Sequence, residues 1–389
     1  MSTLDSTTVG TVADLHASAS RVSGLTDFGA DDYREALEVL LDSYAHDAAL
    51  TPAGSKAARV MLRGALVARL SSESAWRQYP EHEQVPVTRP VFVTGLPRTG
   101  TTALHRLLSA DPAHQGLELW LAEVPQPRPP RDTWADNAVF ALLEDGYRQH
   151  RLEHPEFMGM HYLSAAEVEE CWQLLRQSVM SISFECLAHL PGYSGWLSTQ
   201  DWTPAYRRHR RNLQLVGLTE PERRWVLKNP SHLFALDALL AVYPDALVVQ
   251  THRAPATAIA SVCSLNAEAS AGWSDRYRGE VLGRDQLELW SRGVTRFLAD
   301  RAAHDPAQFV DVAYEDLVAD PMGTVERIYA RLDTPLSGPA RTAMAALHEQ
   351  SVTGDRRPAH RYALADFGLS EGEVNERFAD YLAVIPSGR

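Results

Sequence analysis

Two glycines, an arginine and three threonines lie close together in the stretch GLPRTGTT, residues 95–102. Gly95 and Gly100 have the spacing of the phosphate loop G-x-x-x-x-G-K-[ST], in which backbone N–H groups surround phosphate oxygens at a helix N-terminus. Thr101 replaces the lysine of that loop, and Arg98 is the cation inside the turn. The stretch predicts either an anion site for a 5′-phosphate that carries a transferable group, or a simple strand-to-helix turn capped by threonines. In the first interpretation the phosphate contacts come from Pro97, Arg98, Thr99, Gly100, Thr101 and Thr102.

A second arginine and a serine follow another strand-like run, VVQTHRAPATAIAS. We predict that a buried strand ends at Thr251, that Arg253 lies at its carboxyl end, and that Ser261 lies about two turns into the next helix. Because the carboxyl ends of parallel strands meet at one edge of a sheet, this pair forms a second anion site beside the first. Two adjacent anion sites predict a ligand with two separated phosphates.

The two motifs together resemble those of sulfotransferases that use 3′-phosphoadenosine 5′-phosphosulfate (PAPS). GLPRTGTT is similar to the 5′-phosphosulfate loop of that family, and THRAPATAIAS is similar to its 3′-phosphate motif. WVLKNPSHLFALDALL, FVDVAYEDLVADP and HRYALADFGLS resemble further segments of the bacterial branch, so the resemblance covers residues 90–378. It implies the P-loop NTPase-like sulfotransferase fold, PAPS as the cofactor, 3′-phosphoadenosine 5′-phosphate (PAP) as its product, and an acceptor hydroxyl.

Transfer of a sulfonate group requires a base for the acceptor hydroxyl and positive charge on the sulfonate and on the departing phosphate. Arg98 and Lys228 are the candidate cations. Lys228 and Lys56 are the only lysines among 37 basic residues, so the end of the WVLK strand favours a compact ammonium that arginine does not imitate. A strand-end surface charge is the alternative for Lys228. His232 either donates a hydrogen bond, to the sulfonate or to the acceptor molecule, or is a structural residue.

Three residues are candidates for the base. Glu170, in AAEVEECWQLL, resembles the paired glutamates of the bacterial branch, and the pattern predicts that it lies in a helix. Glu118 lies where a resemblance to the tyrosylprotein sulfotransferase branch of the family puts a catalytic glutamate. His161 is the third candidate. The neighbouring Glu167 and Glu169 are equally explained as charges that complement a helix dipole.

The elements that position these residues follow from the repetition of strand, loop and helix. That repetition predicts an α/β fold with a parallel sheet flanked by helices. We divide the chain into a helical N-terminal extension, residues 1–88, and a sulfotransferase α/β domain, residues 89–389. Within the second unit, residues 117–222 form a helical insertion that builds the substrate pocket, and FVDVAYEDL is a further strand.

Composition narrows the partners. The 389 residues include 37 Lys and Arg against 50 Asp and Glu, a net charge of −13, which argues against nucleic acid as a partner. The three cysteines have no C-x-x-C spacing and are expected to be buried thiols, and we expect no metal. The N-terminus lacks a basic and apolar leader, and no apolar run approaches the ~18 residues of a membrane span, so we expect a cytoplasmic protein.

The acceptor and two alternative functions remain open at this point. Aromatic residues in the insertion predict a pocket for a small, mostly apolar alcohol or phenol, although such residues also fill ordinary cores. A P-loop kinase or NTPase would need a lysine in place of Thr101 and an aspartate where the next strand has His252 and Arg253. A catalytically silent nucleotide-binding protein of the same fold would bind the cofactor and lack the base.

Overall fold

The computed structural model describes residues 8–153, 162–353 and 362–385. Five strands within these residues form one sheet in the order β2-β3-β1-β4-β5, and every neighbouring pair is parallel. This confirms the predicted α/β fold. The strands are β1 (Val91–Gly95), β2 (His114–Gln115), β3 (Arg224–Lys228), β4 (Leu247–His252) and β5 (Phe309–Ala313).

Helices precede the sheet, connect its strands and follow it. The α-helices are α1 (Val12–Ser23), α2 (Arg34–His46), α3 (Pro52–Gln78), α4 (Thr101–Ser109), α5 (Leu119–Glu123), α6 (Ala138–Glu153), α7 (Trp172–Arg176), α8 (Pro191–Leu197), α9 (Thr203–Val216), α10 (Leu236–Val242), α11 (Pro255–Ala269), α12 (Gly279–Arg301), α13 (Tyr314–Ala319), α14 (Pro321–Arg331), α15 (Gly338–Thr353), α16 (Glu371–Arg377) and α17 (Ala379–Leu382). Short 3₁₀ helices cover Pro80–Gln84, Arg131–Asp136, Gly217–Thr219, Pro230–Phe234, Pro306–Gln308 and Leu364–Phe367. None of the helices in the described ranges combines the length and the apolar character that crossing a bilayer requires.

The central strands β3, β1 and β4 are buried on both faces, as expected of a parallel sheet covered by helices. Val93 pairs with Lys228, and Gly95 pairs with Thr251. The carboxyl ends of these three strands therefore lie side by side, and the loops that follow them share one edge of the sheet.

The two faces of the sheet pack against different parts of the chain. Phe92 and Val248 point into the larger core, which also holds side chains of α1–α3 and of the segment between β2 and β3. Val93 and Val249 point into a smaller core with side chains of α4, α14 and α15. Residues 12–78 thus bury their apolar faces in the same core as the helical insertion, against one face of the sheet.

The prediction that Glu170 lies in a helix is wrong, because the α-helix in AAEVEECWQLL begins only at Trp172. The backbone before it bonds to other segments instead. Glu169 donates its N–H to the carbonyl of Leu117 at 2.8 Å, and Cys171 donates to the carbonyl of Lys228 at 3.0 Å. These tertiary bonds replace the local helical ones, so Glu170 lies in a non-helical segment beside the end of β3.

Candidate functional site

The loop between β1 and α4 has a backbone conformation that most residues avoid. Gly95 and Gly100 have φ angles of 141° and 89°, in the region that favours glycine. A Cβ atom at Gly95 would lie 2.5 Å from the carbonyl oxygen of Thr251 on β4. Arg98 has a φ of 68°, which costs a non-glycine residue about 1–3 kcal/mol and is typical of binding sites. The surrounding structure therefore holds this loop in a strained turn from strand to helix.

The threonines of the loop differ in their positions and contacts. Thr99 is buried, and its hydroxyl donates to the carbonyl of Leu96 at 2.6 Å and lies 2.6 Å from the hydroxyl of Thr251. Helix α4 begins at Thr101, and its N-cap residue, Gly100, has no side chain to cap the first N–H groups. These N–H groups and the positive end of the helix dipole are therefore available to an anion.

Two arginines and a serine converge beside the loop. The Nε of Arg98 donates to the Oγ of Ser261 at 3.2 Å, and the Nη1 of Arg253 donates to the backbone carbonyl of Arg98 at 3.0 Å. The guanidinium of Arg253 lies 4.2 Å from the ring centroid of Tyr314. Burial lowers the pKa of Arg98, but an arginine stays protonated at neutral pH. One positive charge within the loop and one beside it therefore lie close together in a chain whose net charge is −13.

These residues line a cleft of about 1150 Å³, counting the open space at its mouth, which we call the anion cleft. Every loop residue predicted to contact phosphate lines it except Thr99, whose side chain is used inside the loop. Sequence reasoning assigned no role to Tyr314 and Tyr362, which also line the cleft. Tyr314 directly follows β5, so the rule that placed Arg253 at the carboxyl end of β4 could have found it.

A second cavity of about 720 Å³, counting its mouth, lies beside the anion cleft, and we call it the apolar cavity. Its wall is mostly hydrophobic and includes Trp172, Ile182, Leu187, Val262, Ala269 and Trp290. The residues that line both spaces are Pro97, Glu170, Pro230 and Leu265. Among these four, Glu170 is the one with an ionisable side chain. A molecule in the anion cleft and a molecule in the apolar cavity would therefore meet at this carboxylate.

Glu170 is paired with Lys228 at that junction. The Nζ of Lys228 lies 2.5 Å from the Oε1 of Glu170 and 3.2 Å from the Oγ1 of Thr102. The lysine side chain is 1% exposed and the glutamate side chain is 19% exposed, so the ion pair is largely shielded from water. Lys228 thus joins the end of β3 to Thr102 at the start of α4 and to Glu170, and the ion pair places one negative and one positive charge between the two cavities.

Glu118 and His232 lie outside both linings. Glu118 is buried and its carboxylate accepts from the Nε and Nη2 of Arg128 at 3.1 and 2.9 Å. His232 is fully buried, and its Nδ1 lies 2.7 Å from the hydroxyl of Tyr206. Burial holds the pKa of His232 well below its ordinary value, so the ring is neutral. His161 lies outside the described residues. Glu118 and His232 therefore have structural partners where the structure places them.

No group of three or more histidine, cysteine, aspartate or glutamate side chains in the described part of the chain is arranged to hold a metal ion. The charges that line the anion cleft are those of Arg98, Arg253 and Glu170, with Lys228 behind the glutamate. The arrangement is suited to binding anions through backbone N–H groups and cationic side chains.

Comparisons with known proteins agree on one family. The sequence model of the Sulfotransferase family matches residues 90–338. The crystal structure of sulfotransferase STF1 from Mycobacterium tuberculosis H37Rv is 59% identical, with a TM-score of 0.90 over 96% of this chain and 99% of that chain. Sulfotransferase STF9 from Mycobacterium avium is 29% identical, with a TM-score of 0.87 over 97% of this chain and 98% of that chain.

A curated relative, omega-hydroxy-beta-dihydromenaquinone-9 sulfotransferase Stf3 of Mycobacterium tuberculosis (strain CDC 1551 / Oshkosh), is 27% identical over 262 residues. The aligned part is 64% of this chain and 64% of that relative, so the chain spans about two thirds of the relative's length.

Proposed function

Because the chain belongs to the sulfotransferase family, we propose that it transfers a sulfonate group from PAPS to the hydroxyl of a small, apolar alcohol or phenol. The observation that carries this proposal is the position of Glu170, which lines both the anion cleft and the apolar cavity. An acceptor in the apolar cavity would present its hydroxyl to this carboxylate, next to the cations that bind the donor.

The donor set of the anion cleft fits PAPS. The uncapped N-terminus of α4, the loop N–H groups and Arg98 suit the 5′-phosphosulfate, and Arg253 with Ser261 suits a second phosphate on the 3′ position. When bound, PAPS supplies the sulfonate that is transferred and leaves as PAP. ATP has no 3′-phosphate and would leave the second anion site without a partner.

We assign the proton transfer to Glu170. Its carboxylate accepts the proton of the acceptor hydroxyl, which makes the oxygen a better nucleophile as its bond to sulfur forms. Lys228 and Arg98 provide the positive charge that the reaction needs, and the hydroxyl of Thr102 holds Lys228 in place. Glu118, already paired with Arg128, is the weaker candidate on geometry.

The wall of the apolar cavity supports an acceptor whose hydroxyl is attached to hydrophobic carbon. The tryptophans and aliphatic residues of this wall bury hydrocarbon, and few polar groups interrupt them. The relative Stf3 is named for a substrate with a hydroxyl on a menaquinone, which is consistent with an apolar acceptor here.

Incubation of the full chain with ³⁵S-labelled PAPS and a panel of alcohols and phenols tests the proposal. We expect labelled sulfate esters with apolar members of the panel. Calorimetry should show that PAP binds at least about tenfold more tightly than ATP, since the loss of one charged phosphate contact costs about 1.4 kcal/mol or more. Equal affinity for PAP and ATP, or no ester with any acceptor, would contradict the proposal.

A further inference from the structure

A third space shares a lining residue with the apolar cavity. It has a volume of about 1200 Å³, counting its mouth, and we call it the distal cavity. Ile182 lines both the apolar cavity and the distal cavity. Trp290 lines the first and Phe234 lines the second, and their rings contact edge to face with centroids 5.9 Å apart. At Ile182 the wall between the two spaces is therefore only one side chain thick.

The lining of the distal cavity changes from apolar to polar. Ile182, Leu197, Trp202 and Phe234 form the hydrophobic part of the lining. Thr295 and Ala299, on one side of α12, are exposed and belong to the same lining. A flexible hydrocarbon chain that passed Ile182 would continue along apolar side chains towards an exposed rim.

The arginines of this rim do not form a free anion site. Arg292 pairs with Glu185, Arg296 pairs with Asp300, and Arg377 pairs with Glu288. Each positive charge is compensated by a carboxylate within its own pair. The rim therefore favours a neutral polar group, or water, at the far end of an occupant, and a phosphate or carboxylate there would have to break an ion pair.

From these observations we propose that the distal cavity is a second subsite for the acceptor. It takes the part of a long apolar alcohol remote from the reacting hydroxyl, and a change of the Ile182 rotamer opens the connection. This inference rests on the proposed sulfonate transfer, because it places the hydroxyl at Glu170 and the chain in the direction of Ile182. It predicts a preference for long-chain alcohols over short ones.

The test uses straight-chain primary alcohols from butanol to dodecanol as acceptors with labelled PAPS. In the wild-type chain we expect kcat/KM to rise with chain length, about fourfold for each further buried methylene. Thr295→Trp fills the exposed side of the distal cavity and should lower the ratio of kcat/KM for dodecanol to that for butanol at least about tenfold, the equivalent of about two buried methylenes. Ala299→Trp, at a second exposed position, should lower the same ratio.

Arg284→Trp is the matched control, because Arg284 is exposed on the same helix and is absent from the linings of the apolar and distal cavities. It should leave the ratio at the wild-type value. An unchanged ratio in both Thr295→Trp and Ala299→Trp, with each variant folded by circular dichroism, would overturn the distal subsite. If butanol is sulfonated and chain length has no effect, the subsite alone fails; if no alcohol is sulfonated, the proposed function fails.

Discussion

Replacing Glu170 by glutamine should remove the base and keep the shape of the junction. Glutamine retains an oxygen that can accept from Lys228, which in the wild-type chain lies 2.5 Å from the carboxylate. It cannot take a proton from the acceptor hydroxyl. We therefore expect turnover to fall by about 10²- to 10⁴-fold, the usual contribution of a positioned general base. Affinity for PAP should be equal or higher, because a negative charge is removed from the lining of the anion cleft.

Glu170→Gln should also lower the free energy of unfolding, and the burial of the ion pair determines by how much. The Lys228 side chain is 1% exposed and loses its charged partner. Breaking a buried ion pair outright costs about 3–5 kcal/mol, whereas Glu170→Gln leaves a neutral acceptor in place. We expect a loss of about 1.5–3 kcal/mol, the range for one hydrogen bond to a charged group. Such a loss cannot by itself explain a hundredfold fall in turnover of a folded protein.

Glu118→Gln is the matched control, since it makes the same chemical change at a buried carboxylate paired with Arg128. It should lower the free energy of unfolding and keep turnover, and both variants are compared by steady-state kinetics, urea unfolding and PAP calorimetry. Normal turnover of Glu170→Gln with an inactive Glu118→Gln would refute the reasoning and transfer the role of base to Glu118. Full activity of both would exclude both glutamates.

Three further predictions follow from the site and the core. Arg253→Ala and Ser261→Ala should each raise the Kd for PAP about tenfold or more with little change in turnover at saturating PAPS. The reason is that a phosphate contact of this kind stabilises the ground state and the transition state equally. A large fall in turnover with an unchanged Kd would contradict a binding role for these two residues. Lys228→Ala should lower turnover by about 10²-fold and Lys228→Arg should restore only part of it, and full rescue by arginine would refute the need for a compact ammonium. Burial lowers the pKa of His209 to about 3, below its unfolded value of about 6.5. The folded state therefore favours the neutral ring, and the titration of this histidine does not change the stability of the fold above about pH 6.5. As the pH falls from about 6.5 towards about 3, the free energy of unfolding decreases by about 1.4 kcal/mol per pH unit. Urea unfolding at pH 7 and pH 5 measures this pH dependence of the free energy of unfolding. His209→Phe should remove the share that His209 contributes, and an unchanged pH dependence in the variant would contradict this prediction. Two other buried histidines with lowered pKa values, His105 and His232, add to the loss.

The sheet and the anion cleft could be predicted from the sequence because their signals are local. Each central strand is a short apolar run, and the site residues lie at the end of the strand, directly after it or a few positions later. Arg253 follows β4 directly, and Lys228 is the last residue of β3. Strand β2 was not predicted, since its two residues are too few to show a pattern.

The surroundings of the candidate base could not be predicted in the same way. The family resemblance points to Glu170, but Glu170 is not helical. The helix α7 begins only at Trp172, because the carbonyls of Leu117 and Lys228 accept from the backbone N–H groups of Glu169 and Cys171. Such bonds join residues that are far apart in sequence and leave no periodic trace. The pairing of Glu170 with Lys228, 58 residues away, is likewise a product of the tertiary fold.

Sulfonate transfer at the Glu170 junction is tested most directly by measuring PAP and sulfate ester together in one reaction. The 389-residue chain, PAPS and an apolar primary alcohol are incubated, and both products are quantified by mass spectrometry. We predict that PAP and the ester accumulate in equal amounts, that no ester forms without the protein, and that ATP in place of PAPS gives no phosphorylated alcohol. PAP without ester, or phosphorylated alcohol from ATP, would contradict the proposed function.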